Sequence, residues 1–130
     1  MGQKDPVAVV LDAGALIAFE RADARVRALL REALRTGARL VVPAGVVGQV
    51  FRDPKRQVAL RSLLDGRTTE VPPLDRILAE AAGVLCGRAG PSDVIDASVV
   101  IAARRRHAVV VTSDPEDIRR LDPGVRVRRI

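Results

Sequence analysis

Apolar residues follow two rhythms along this chain. Three stretches are short, solid runs with no alternation: "VAVVLD" (Val7 to Asp12), "RLVVP" (Arg39 to Pro43) and "AVVVT" (Ala108 to Thr112). Runs of this kind, rich in valine and closed by polar residues or proline, predict strands buried on both faces. "TTEVPPL" predicts a short strand stopped by its two prolines, and "VRVRRI" alternates as an edge strand would. Between these runs the apolar positions recur at helical spacing. "AGALIAFERAD" predicts a short helix. "ARVRALLREALRTG" places Val26, Leu29, Leu30, Ala33 and Leu34 on one face, with Gly37 as the stop. "AGVVGQVFRD" and "PKRQVALRSLLDG" predict two more helices, the second with Pro54 in its first turn and Val58, Leu60, Leu63 and Leu64 as its apolar face. Asp75 is placed to cap "RILAEAAGVLCGR", which Gly87 or Gly90 ends. Ser92 is placed to cap the helix "DVIDASVVIAARRR".

Solid strands separated by helices predict an α/β fold, a three-layer α/β/α sandwich with a mainly parallel central sheet. No repeat, linker or low-complexity segment divides the 130 residues, so one domain over 1–130 is expected. In such sheets ligands bind at the carboxyl ends of the strands. That rule singles out acids. Asp12 ends the first strand, and Asp114 follows the "VVVT" strand. The helix opened by "PSDVID" runs antiparallel to that strand, so its first turn, with Asp93 and Asp96, is expected at the same sheet edge. Asp93 and Asp96 are three apart, a spacing that puts both on one helix face. Carboxylates converging from separate segments repel one another unless a cation neutralises them, and hard divalent ions such as Mg²⁺ or Mn²⁺ suit oxygen ligands. Such a cation can activate a water and stabilise charge building on a phosphate.

Each acid also has a plain structural reading. Asp93 in a first turn favours the helix dipole, Asp12 can cap the following helix, and Asp114 can shape the turn before Pro115. Asp117 fits a helix surface, His107 a helix-to-strand turn, and Arg104 to Arg106 a solvated helix end.

Charge and composition narrow the partners. Lysine and arginine number 22 against 16 acids, a net +6 carried almost wholly by arginine, since Lys4 and Lys55 are the only lysines. A basic surface suits a polyanion. Phe19 and Phe51 are the only aromatics, which argues against base stacking on aromatic platforms and leaves phosphate attraction open. No apolar run approaches the roughly 18 residues of a membrane span. "MGQKDP" has Pro6 where a myristoylation signal needs Ser or Thr, and no secretory cleavage site follows. Cys86, the lone cysteine, reads as a small buried hydrophobe and fits a reducing cytoplasm. The dinucleotide, P-loop and serine-elbow motifs are absent. "LDAGAL" lacks the second acid, two residues after Asp12, that a phosphatase or receiver-like phospho-acceptor site would use.

Taken together, "VVLDAGALIA" and "SDVIDASVVIAARRRHAVVVTSDPEDI" resemble a PIN domain, in particular a VapC-like toxin ribonuclease of a type II toxin–antitoxin pair. The resemblance covers nearly the whole chain. It implies a Mg²⁺- or Mn²⁺-dependent RNA endonuclease leaving 5′-phosphates, with Asp12, Asp96 and Asp114 as metal ligands and Asp93 as an additional acid. Thr112, Ser113 and Asp117 would support the site. It also implies a homodimer and a cognate VapB-like antitoxin. One position departs from the pattern: the family's glutamate on the helix after the second strand falls on Gln49, which offers a carbonyl oxygen but no charge. That departure motivates the alternative reading, a catalytically weakened PIN domain that binds RNA or a partner.

Overall fold

A computed structural model describes residues 7–130; the opening "MGQKDP", where a lipidation signal is discounted, lies outside them. In order along the chain, the elements are β1 (Ala8–Leu11), α1 (Ala13–Glu20), α2 (Ala24–Thr36), β2 (Arg39–Val41), α3 (Ala44–Val50) and α4 (Val58–Leu64). β3 (Thr69–Glu70), α5 (Arg76–Ala89), α6 (Val94–Arg106), β4 (Val109–Thr112), α7 (Pro115–Leu121) and β5 (Val127–Arg129) follow. The five strands form one sheet in the order β3-β2-β1-β4-β5. Every pairing is parallel, with Val10 of β1 opposite Val41 on one side and Val110 on the other. The α/β sandwich expected from the solid valine runs is therefore the fold, and its described sheet is parallel throughout.

The strand order explains the composition of the strands. β1 lies in the middle, and all four of its residues are buried. Right-handed crossovers put the helices that link β1, β2 and β3 on one face and those that lead to β4 and β5 on the other. Contacts agree: α1 packs on α2, α3 and α4, whereas α6 packs on α5 and α7. α6 sits beneath β1 and β4, and an unbroken run from Ala97 to Ala103 is buried. This burial explains why the helix is apolar on all sides after its first turn.

Local chemistry sets most boundaries. The Asp23 carboxylate caps α2 by accepting from the Arg25 and Val26 N–H groups, and Gly37 ends the helix in the left-handed region at φ 78°. Asp75 caps α5 through the Leu78 N–H at 2.9 Å, and Gly90 ends that helix. Two boundaries differ from the sequence pattern. Asp93, not Ser92, caps α6 by accepting from the Ile95 N–H; the Ser92 hydroxyl donates instead to the Gly90 carbonyl. Pro54 lies in a turn, and α4 begins at Val58, whose side chain is 63% exposed rather than part of the apolar face. The cause is Gln57. Its amide oxygen accepts from the Arg52 and Asp53 N–H groups, while its NH₂ donates to the Val50 carbonyl and to Glu20, holding the turn shut before the helix starts. Cys86 is only half-buried against the core.

The arginines that end α6 are not simply solvated. Arg104 pairs with Asp122 at 2.7 Å, and Arg106 with Glu70 on the short edge strand β3 at 2.6 Å. His107 caps the helix in the left-handed region at φ 51° and is exposed, as a turn residue would be. The Arg106 guanidinium holds the Glu70 carboxyl below the usual range. A depressed carboxyl stabilises above its unfolded value and ceases to do so as pH falls through the folded one. Arg106→Ala is therefore expected to cost up to about 1 kcal/mol at neutral pH. Urea unfolding should show that loss shrinking as glutamate protonates.

Candidate acidic site at the carboxyl edge of the sheet

The sheet reverses direction between β1 and β4, since β2 and β3 lie to one side and β5 to the other. A crevice opens at such a switch point, at the carboxyl ends of the strands. Asp12 leaves β1 at this point and also caps α1, accepting from the Ala15 N–H at 2.9 Å. It is 8% exposed. Burial raises its proton affinity, while hydrogen bonds from Thr112 and the Ala15 N–H oppose the rise. Thr112 is the last residue of β4 and fully buried; its hydroxyl also accepts from the Asp114 N–H at 2.9 Å. One buried hydroxyl thus ties Asp12 to the backbone that carries Asp114.

Asp96 lies in the first turn of α6 and is half-buried. Its carboxyl is raised to about 6, first by burial and then by the charges of Asp93, Asp12, Asp117 and Asp114. Asp93, Asp12, Asp117 and Asp114 thus lie near enough to Asp96 for their charges to act on its carboxyl. Asp93 and Asp114 are exposed at the cleft, and Asp114 occupies the cap position of α7 without a side-chain cap bond. Asp117, in the first turn of α7, is partly neutralised by Arg120 at 3.6 Å. Among the described residues, no lysine or arginine forms an ion pair with Asp12, Asp93, Asp96 or Asp114. Nor are any three Asp, Glu, His or Cys side chains among them already gathered tightly enough to hold a cation. The acids act on one another but do not form a ligand sphere; Asp114 is exposed with no side-chain cap bond, whereas the Asp93 carboxylate is engaged in capping α6.

Two glycines shape the cleft and were not singled out by motif. A Cβ on Gly14 would fall 2.1 Å from the Ser113 hydroxyl, so the start of α1 approaches the β4–α7 loop at a distance that a side chain would obstruct. A Cβ on Gly45 would fall 2.4 Å from Cδ1 of Ile95, which ties α3 to the first turn of α6. Gln49 is one helical turn beyond Gly45 and shares its face. It is exposed. The small residues of "LDAG" and "PAGVVG" were the available signal, but only the register of the sheet shows what they approach.

The PIN domain family model matches residues 9–123. The chain belongs to the PIN-domain family. Among solved structures, it is similar to VapBC2 from Rickettsia felis bound to a DNA fragment from its promoter, with TM-score 0.72, 12% identity and coverage of 95% of this chain and 98% of that chain. DNA-bound VapBC from Salmonella typhimurium gives TM-score 0.70 and 20% identity, covering 94% and 97%. FitAcB from Neisseria gonorrhoeae gives TM-score 0.63 and 18% identity, covering 92% and 95%. At these identities the likeness is one of fold. Curated protein sequences give no significant match. Among the described residues, no helix is long and apolar enough to cross a membrane.

Proposed function

We propose that the protein is a metal-dependent RNA endonuclease acting as the toxin of a VapBC-type pair. The observation that supports this most is Asp96: a half-buried carboxyl raised to about 6, first by burial and then by four neighbouring acids, with no basic partner among the described residues. Such crowding is costly unless protons or a cation relieve it. A divalent cation fits the donor set, which is all oxygen and carries excess negative charge. Asp12, Asp96 and Asp114 would hold it, with Asp93 assisting. A bound Mg²⁺ or Mn²⁺ would supply Lewis acidity toward the phosphate and a lowered pKa for a coordinated water.

The chain's own residues do the rest. Thr112 and the Ala15 N–H fix the Asp12 carboxylate in one orientation. Thr112 also fixes the Asp114 backbone. The close approach of Gly14 to Ser113 keeps α1 against that loop. Surface arginines attract the phosphate backbone without reading sequence. The toxin–antitoxin neighbours favour a VapB-like antitoxin as partner; a homodimer in the cytoplasm completes the proposal.

Single-stranded or loop RNA incubated with Mn²⁺ or Mg²⁺ should be cut to 5′-phosphate products, and EDTA should abolish cutting. A second reading, a PIN domain that binds RNA or a partner without cutting it, rests on the uncharged Gln49 on α3, where the family resemblance expects a glutamate. RNA retention without any divalent-dependent product would favour that reading.

A further inference from the structure

A parallel sheet needs cover on both faces, and this one lacks it in one place. α1 and α2 cover one face over β1 and β2, and α6 and α7 cover the other from β1 to β5. On the α2 side, α1 reaches β4 at its carboxyl end, beside Ser113, and leaves the amino end of β4 and the neighbouring β5 open. A groove of about 600 Å³ runs there between α2 and the edge strand β5. Its floor is apolar: Val9 and Val109, opposite each other in the sheet, with Leu29 and Ala33 of α2 as one wall. That volume lies within the roughly 300–1,000 Å³ of binding clefts. The groove is at the amino ends of the strands, since Val109 opens β4 and Ala38 immediately precedes β2. The acidic cleft is at the carboxyl ends, so the two surfaces are separate.

The rim identifies the occupant. Arg25, Arg126 and Arg128 border the groove, with Glu32 as the only acid. Glu32 is already bonded to Arg35 through the guanidinium Nε at 3.0 Å. Arg25 is only loosely paired with Asp23 at 3.6 Å, and 72% of its side chain is exposed. Arg126 donates to the His107 carbonyl, and Arg128 has no ion pair among the described residues. The excess charge is positive around an apolar trough. A second copy of this chain, at net +6, would bring more positive charge to the same place. We infer that the groove receives an amphipathic helix of a partner protein, aliphatic along one stripe and acidic beside it, which supplies the cover missing over the amino end of β4 and over β5. Its apolar stripe would lie on Val9, Leu29 and Val109, and its carboxylates would meet Arg25, Arg126 and Arg128. An occupant there leaves the acidic cleft open, which distinguishes it from anything that blocks the cleft itself.

The test uses two designed 18-residue peptides with leucine at helical i, i+3, i+4 and i+7 spacing, one flanked by glutamate and the other by lysine. NMR shift perturbation and fluorescence anisotropy would follow their binding to the full chain. The acidic peptide is expected to bind, to shift the amides of α2 and β5, and to weaken as salt rises. Arg128→Glu should weaken it about fivefold, and Ala28→Trp, which fills the groove from an exposed position on α2, should weaken it by a similar factor. The inference is overturned if neither peptide binds, if both bind equally, or if the shifts map to the acidic cleft. It is also overturned if sedimentation shows a dimer that Ala28→Trp dissociates, because a second copy would then fill the groove.

Discussion

Asp96→Asn is expected to reduce RNA cleavage at least ~100-fold while making the metal-free protein more stable. The first effect follows from removing a charged oxygen ligand: losses of roughly 10–100-fold attend even groups that only orient such ligands. The second follows from the raised carboxyl. A shift from the ordinary 3.8 to about 6 corresponds to ~3 kcal/mol between the charged and neutral forms. Asp96 is only half-buried, so screening reduces the expected gain to ~1–2 kcal/mol. A carboxyl raised by folding costs nothing below its unfolded value, and its cost is complete once pH passes its folded value. Wild type and variant should thus unfold alike below about pH 4 and diverge between about pH 4 and pH 6. The variant should lead above that range in EDTA. Denaturant unfolding across pH measures this. Adding Mn²⁺ at pH 7.5 should reverse the order, because a ligand of the folded state stabilises whichever protein binds it.

Gln49→Glu should act in the opposite sense. Gln49 is exposed, one turn from the contact between Gly45 and Ile95 that sets α3 against α6. A carboxylate added there joins a field already crowded by Asp12, Asp93, Asp96 and Asp114. It should destabilise the protein in EDTA by repulsion and tighten Mn²⁺ binding by roughly tenfold, the effect of one extra charge near a divalent ion in partly solvated surroundings. Thermal melts in EDTA and in Mn²⁺ should cross. A parallel displacement of the two melts would place Gln49 outside the field and remove the basis for matching it to the family's glutamate.

How much of this was legible in the sequence depends on the distance over which each feature is determined. Asp12, Asp96 and Asp114 could be found because strand ends and helix starts are local patterns, and a parallel sheet brings those ends to one edge. The cap of α6 was misassigned to Ser92 because Ser92 and Asp93 are both good caps, and the choice rests on which residue bonds to the Ile95 N–H. The start of α4 was misplaced because Gln57 closes the turn through bonds to Val50, Arg52, Asp53 and Glu20, a tertiary arrangement no spacing reveals. The approach of Gly14 to Ser113 and the open groove between α2 and β5 were not legible at all. Both depend on sheet register and on which side each crossover takes, and neither is written in any single segment.

The central claim is that the converging acids form one cation site, and direct Mn²⁺ binding tests it most simply. Electron paramagnetic resonance of free Mn²⁺, titrated against the protein at pH 7.5 without RNA, reads occupancy independently of catalysis. The proposed site predicts one Mn²⁺ bound per chain in the wild type, tighter in Gln49→Glu and lost in Asp96→Asn. Equal Mn²⁺ uptake by wild type and Asp96→Asn would contradict it, since the acids around Asp96 would then not be what holds the ion.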